Sequence, residues 1–205
     1  MNKKKGLFIS FEGPEASGKS SQILLLQKYL TKKKISFITT REPGGTKLAE
    51  SLRNLILKIK SDINIDEEIL MLMAARSHHI NNVIKPALNQ GSLVISDRFA
   101  DSTFVYQGYV NKFGIHKSKR LHKAILNNFL PNKTFLFKLS TSKIISRLKG
   151  RKLKNKYDKL EKEFHHQVNK GYSLISNNKR FLIIDASKSM QTIHKKIISH
   201  LNSLL

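Results

Sequence analysis

Gly13-Pro14-Glu15-Ala16-Ser17-Gly18-Lys19-Ser20 places two glycines five residues apart, with a lysine and a hydroxyl residue directly after the second. This is the G-x-x-x-x-G-K-S spacing of a loop that cradles phosphate. The glycines let the backbone curl without a Cβ in the way, so that N–H groups at a helix N-terminus point at one anion. Lys19 reaches the β- and γ-phosphates and the Ser20 hydroxyl is placed to hold Mg²⁺. A glycine turn with a surface lysine also arises by chance, but the flanks argue for function. An apolar run, Leu7-Phe8-Ile9-Ser10-Phe11, precedes the loop, and a helix-like run from Ser21 through Leu24, Leu25, Leu26 and Leu30 follows it.

Other chemistry-bearing residues recur after apolar runs. Arg41-Glu42-Pro43-Gly44-Gly45-Thr46 offers a guanidinium beside a tight turn, suited to a phosphate, with Pro43 a candidate for a cis bond. The plain alternative is an ordinary turn with a solvated Arg. Asp97-Arg98 ends another apolar run, with the carboxylate placed for the nucleotide's Mg²⁺ and the guanidinium for the transferring phosphate. Ser102, Thr103, Tyr106 and Gln107 then share one side of a helix and could read a base edge, or simply pack. Arg76 closes the apolar stretch Ile69-Leu70-Met71-Leu72-Met73-Ala74-Ala75 and could face an anion; the adjacent His78-His79 lacks the spacing of a helical metal pair and reads as packed or solvated. Arg147, Lys149, Arg151, Lys152, Lys154 and Lys156 form a basic run. Such a run is a solvated face, a nucleic-acid contact, or a lid that brings cations to a triphosphate.

The elements that must position these residues alternate. Apolar runs at 6–11, 35–39, 92–96, 134–139 and 181–184 read as strands. Helical patterns lie between them, at 18–33, 46–60, 66–88, 99–128, 141–150, 158–177 and 189–203. Continuous apolar strands separated by helices predict an α/β fold, a five-stranded parallel sheet covered on both faces. Ligands bind such sheets at the carboxyl ends of the strands, and the motifs at 13–20, 41–46 and 97–98 all follow strands directly. The 205 residues suit one domain with a core of its own, with a lid segment at about 147–160.

Composition narrows the classes further. There is no Cys, which excludes disulfides and thiolate metal sites. No apolar run approaches the ~20 residues of a membrane helix, so the expected setting is cytoplasmic with no membrane partner. The net charge of +24 invites a nucleic-acid reading, but only 8 of the 38 basic residues are Arg, and the Lys residues are spread along the chain. No specific nucleic-acid partner is expected. The few Arg carry more information, because the guanidinium fork matches phosphate.

At this point the chain resembles the thymidylate kinases, which phosphorylate dTMP with ATP. The matching segments occur in order over roughly 5–185: Phe11-Glu12-Gly13 through Ser20, Arg41 to Thr46, Asp97-Arg98-Phe99 with Tyr106-Gln107-Gly108, and the basic run. The resemblance implies a three-layer fold of the P-loop nucleoside-monophosphate-kinase kind, Mg²⁺ as cofactor, ATP and dTMP as partners, and a homodimer. It implies that Gly13, Pro14, Glu15, Ala16, Ser17, Gly18, Lys19, Ser20 and Ser21 bind ATP. Arg41 and Arg98 would grip the dTMP phosphate, and Arg76 would lie against thymine. Gln107 with Ser102 or Thr103 would hydrogen-bond the base, and Glu15 would meet the sugar 3′-hydroxyl or organise Mg²⁺ together with Ser20 and Asp97. Lys19, Arg98, Asp97, Arg147 and Arg151 would be the catalytic set.

The chain departs from the family pattern in places. Ala16 stands where other members carry a loop Arg, which makes Arg147 and Arg151 the natural donors and the chain similar to the bacterial lid-arginine type. Leu72 stands at the thymine-side position where the family often has an aromatic, and Asp158-Lys159 stands in place of an Asp-Arg pair. From the residues alone, a kinase for another nucleoside or monophosphate and a non-enzymatic nucleic-acid module stay open.

Overall fold

The computed structural model describes residues 6–57, 62–150, 157 and 160–205. Five strands, β1 (Phe8–Glu12), β2 (Phe37–Arg41), β3 (Leu93–Asp97), β4 (Lys133–Lys138) and β5 (Phe181–Asp185), form one sheet in the order β2-β3-β1-β4-β5. Every pairing is parallel. The apolar runs marked each strand, but the ladders reach past them to the polar residues Glu12, Arg41, Asp97 and Asp185, whose backbones still pair.

Helices cover both faces, as the continuous burial of β1 requires. On one side α1 (Lys19–Lys32), α7 (Thr141–Lys149) and α9 (Met190–Asn202) bury Leu26, Leu30, Ile144, Leu148 and Ile197 against Ile9, Phe11, Ile95, Phe135 and Phe137. On the other, α3 (Ile65–His79), α4 (Lys85–Asn89), α5 (Ala100–Thr103), α6 (Ile115–Leu126) and α8 (Lys162–Ile175) pack Ile69, Met73, Leu88, Leu126, Val168 and Tyr172 over Phe8, Val94 and Leu136. α2 (Lys47–Leu57) lies against α3.

Two helical stretches differ from the periodicity. The stretch at 66–88 is one rod with a π-type turn at Ile80–Ile84, just before Pro86, which has no N–H to give. The stretch at 99–128 is not one helix. α5 widens into a π segment, Phe104–Val110, and the chain turns at Lys112 (φ 60°) and Gly114 (φ 101°) before α6. A Cβ on Gly108 would come within 2.8 Å of Ser118 Oγ and 3.3 Å of Ile115 Cα, so α6 doubles back close over this glycine.

Candidate active site

Register brings the motifs together. Phe11 pairs with Asp97 across β1 and β3, and Arg41 pairs with Asp97 across β2 and β3. Three strand ends therefore lie side by side at the carboxyl edge, where the strand order changes direction between β1 and β3. Glu42 N donates to Asp97 O, and Arg98 N donates to Phe11 O, each at 3.0 Å.

The loop after β1 needs its first glycine. Gly13 has φ 135°, and a Cβ there would sit 2.5 Å from Phe137 O. Lys19 Nζ folds back onto Gly13 O and Pro14 O, at 3.0 and 2.8 Å. Burial, then the Arg98 charge, lowers its pKa to about 8. Ser20 Oγ donates to Asp97 Oδ2 at 2.9 Å. Lys19, Ser20 and Asp97 line an open cleft with Ala16, Ser17, Gly18, Ser21, Arg41 and Arg53. Ser20 and Asp97 supply hard oxygen donors, and among the described residues no cluster of three or more acidic, His or Cys side chains forms a metal cage. The hard oxygens of Ser20 and Asp97 suit Mg²⁺, which takes few protein ligands beside phosphate oxygens and water.

A second, smaller pocket adjoins the cleft, sharing Glu15, Glu42, Pro43, Leu57, Arg98 and Tyr157 with it. Its walls carry Leu72, Arg76, Ser102, Thr103, Tyr106 and Gln107. Arg98 sits at the shared wall with φ 69°, a costly conformation for a non-glycine residue that its surroundings must hold in place. Ser96 Oγ donates to Arg98 O at 2.6 Å, and the guanidinium reaches Glu15 at 2.9 Å, Ser102 at 3.0 Å and Tyr172 at 3.1 Å. Glu15 also accepts the Tyr106 hydroxyl at 2.7 Å. Burial works against its charge, but Arg98 and then Lys19 hold the carboxyl below its usual range.

Arg76 is 3 % exposed. Its Nε donates to Glu42 at 2.6 Å and its Nη2 to Thr103 at 2.9 Å, while Nη1 is buried with no partner among the described residues. An unpaired buried guanidinium nitrogen is costly unless a ligand takes it. Glu42 is held on its other side by His79 Nδ1 at 2.9 Å, so His79 is packed rather than metal-binding. The Glu42-Pro43 bond is cis.

Not every motif residue faces the pocket freely. Arg41 is tied to Glu50, with Nη2 2.8 Å from Oε2, and is half exposed. The Ser102 hydroxyl is spent on Glu12 at 2.7 Å, and Thr103 on Arg76. Arg147, in the last turn of α7, donates to Ala16 O and Ala186 O, both at 3.1 Å, so its guanidinium reaches the loop at the residue where a loop Arg is missing. Arg151, Lys152, Lys154, Lys156, Asp158 and Lys159 lie outside the described residues.

The motifs assign no role to three groups at the site. Tyr157 lines both cavities, stands edge-on to Tyr106 with centroids 5.3 Å apart, and stacks on Phe164 at 5.9 Å. A lone aromatic inside a basic run is the only trace it leaves in the sequence. Arg53 lines the phosphate cleft and donates to Pro43 O at 2.8 Å. The scarcity of Arg was the signal for it. Glu12, fully buried, collects Phe99 N–H at 2.6 Å, Ser102 at 2.7 Å and the Tyr172 hydroxyl at 2.8 Å.

A cleft for a polyphosphate that opens into a smaller, cation-lined pocket, on a 2-3-1-4-5 parallel sheet, is the site of a P-loop kinase acting on nucleoside monophosphates. The sequence model of the family described as "Thymidylate kinase" matches residues 11–197. A thymidylate kinase of Halothermothrix orenii is 38% identical over 196 residues, covering 94% of this chain and 95% of that protein. One of Carboxydothermus hydrogenoformans is 38% identical over 203 residues, 98% of each chain. One of Mycoplasma capricolum is 39% identical over 197 residues, 94% of this chain and 92% of that protein. The chain belongs to the thymidylate kinase family.

Proposed function

We propose that this chain transfers the γ-phosphoryl group of ATP to dTMP, giving dTDP for dTTP synthesis. The observation that carries the reading is the shared wall of Glu15 and Arg98 between a phosphate-loop cleft and a pocket holding an unpaired Arg76 nitrogen. A loop serving only nucleic-acid binding leaves that second pocket without a use.

Phosphoryl transfer asks the protein for alignment and positive charge more than for covalent work. The loop over 13–21 holds the ATP phosphates through its backbone N–H groups, Pro14 excepted, and Lys19 exchanges the carbonyls of Gly13 and Pro14 for phosphate oxygens. Arg98 faces both substrates and steadies the group in transit, and Arg41, released from Glu50, meets the dTMP phosphate. Arg76 gives its Nη1 hydrogen to the thymine and Gln107 reads the edge beside it. Glu15, already engaged by Arg98 and Tyr106, is placed for the sugar hydroxyl. Ser20 and Asp97, with Glu15 near them, would hold Mg²⁺, which would offset charge on the donor phosphates. Arg147 and Arg151 bring the cations that Ala16 does not supply. One domain with a lid at about 147–160 closes over the nucleotides. Exposed Leu48, Leu55 and Leu70 on α2 and α3 support a homodimer. No described helix is long and apolar enough to cross a membrane. The reading places the enzyme in the cytoplasm, with its substrates.

A coupled ATP assay against dTMP, dUMP, UMP, CMP, GMP and thymidine tests this. The expected outcome is fastest turnover of dTMP and none of thymidine. No turnover of any monophosphate contradicts it.

A further inference from the structure

Glu68 stands in the first turn of α3, beneath the acceptor pocket and almost fully buried. Its Oε1 accepts Gln107 Nε2–H at 2.6 Å and the Tyr157 hydroxyl at 3.2 Å. Nothing in the phosphoryl-transfer scheme above requires a third carboxylate here.

The contact has a directional consequence. A carboxylate only accepts, so the amide of Gln107 must turn its NH₂ toward Glu68 and its carbonyl oxygen away. Chemistry therefore decides an orientation that an isolated amide leaves open. No described group donates to Gln107 Oε1, and Gln107 lines the acceptor pocket. Arg76 lines the same pocket with an unpartnered Nη1. The pocket thus presents one fixed acceptor and one fixed donor. Thymine and uracil carry the complement, an N3–H beside a C4 carbonyl. Cytosine carries the reverse, a bare N3 beside an amino group.

We infer that Glu68 is a specificity-determining positioning residue: by clamping the Gln107 amide it adds to the Arg76 donor a fixed acceptor that favours thymine and uracil over cytosine. The inference rests on the dTMP reading above. Without the clamp the amide can turn over and offer its NH₂ to a cytosine N3. A site built around one hydrogen-bond polarity rejects a base of the other polarity because its buried polar groups would be left unpaired.

The test is kcat/KM for dTMP, dUMP and dCMP at saturating ATP, for the wild type, Glu68→Gln and the reciprocal pair Glu68→Gln/Gln107→Glu. In Glu68→Gln the dTMP:dCMP ratio should fall about tenfold or more, while dTMP:dUMP, which shares N3–H, stays within about twofold. In the pair, the group at 107 is again an obligate acceptor, and the dTMP:dCMP ratio should return toward the wild-type value. Ratios within one enzyme do not depend on the fraction folded, so a weakened variant still reports. An unchanged dTMP:dCMP ratio in Glu68→Gln overturns the inference, as does a parallel loss against dUMP or a pair that restores nothing. A wild-type enzyme without dTMP turnover would overturn the proposed function instead.

Discussion

Arg98 Nη2 donates to Glu15 Oε1 at 2.9 Å, and this ion pair forms the wall common to the phosphate cleft and the acceptor pocket. Neither residue belongs to one cavity alone. Arg98 is held by the strand end through Phe11 O, by Ser102 and Tyr172 through its side chain, and lies over the Tyr106 ring at 5.1 Å. A cation fixed in this way loses little freedom when charge develops beside it, which is the condition for transition-state stabilisation.

Arg98→Ala is expected to lower kcat/KM for dTMP by about 10³-fold and to weaken dTMP in a calorimetric titration. Unchanged dTMP affinity would separate Arg98 from the acceptor.

Lys19 ties ATP binding to pH. Burial lowers its pKa from 10.5 to about 8, so between these values the unfolded chain holds a proton that the folded, empty enzyme lacks. Its contribution to stability therefore rises as pH climbs through that window. ATP phosphates restore the charge, so binding at about pH 9 should take up close to one proton, and binding at about pH 6.5 none. Titrations in two buffers of different ionisation heat measure the uptake, and equal heats at the higher pH would contradict the assignment.

Glu12 has the opposite sign. Burial, and then the nearby Asp101 charge, raises its pKa from 4.5 to about 7. The folded state holds a proton that the unfolded state has lost between these values, so this contribution falls as pH rises from 4.5 to about 7. Thermal unfolding of wild type and Glu12→Gln across that range should show the wild-type midpoint declining relative to the variant. Parallel curves would remove Glu12 as the source.

Tyr157 lines the acceptor pocket together with Leu72 and offers an aromatic surface there. Tyr157→Ala is expected to raise KM for dTMP by several-fold, consistent with about 0.5–1.5 kcal/mol for an aromatic contact. A change confined to the KM for ATP would place the ring at the other nucleotide.

Much of this was legible in the residues. The phosphate loop, the strand-end Arg41 and Arg98, and the alternation of strands and helices fix the sheet and the edge where ligands bind. Harder to read were contacts that depend on which face a side chain takes after folding. Glu12 shares the face of Phe8 and Ser10 on the α5 and α8 side, where it becomes a buried hub. Glu68 carries no motif, and meets Gln107 of the π segment across 39 residues of sequence. The predicted helix over 99–128 missed that break because Gly108 and Gly114 sit inside an otherwise helical pattern.

One continuous site is expected to take both nucleotides, meeting at Glu15 and Arg98. A bisubstrate compound, adenosine and thymidine joined through their 5′ positions by a phosphate chain, tests it most directly. Inhibition competitive with both ATP and dTMP, lost on Arg98→Ala, is the predicted result. Competition with only one of the two substrates would contradict it.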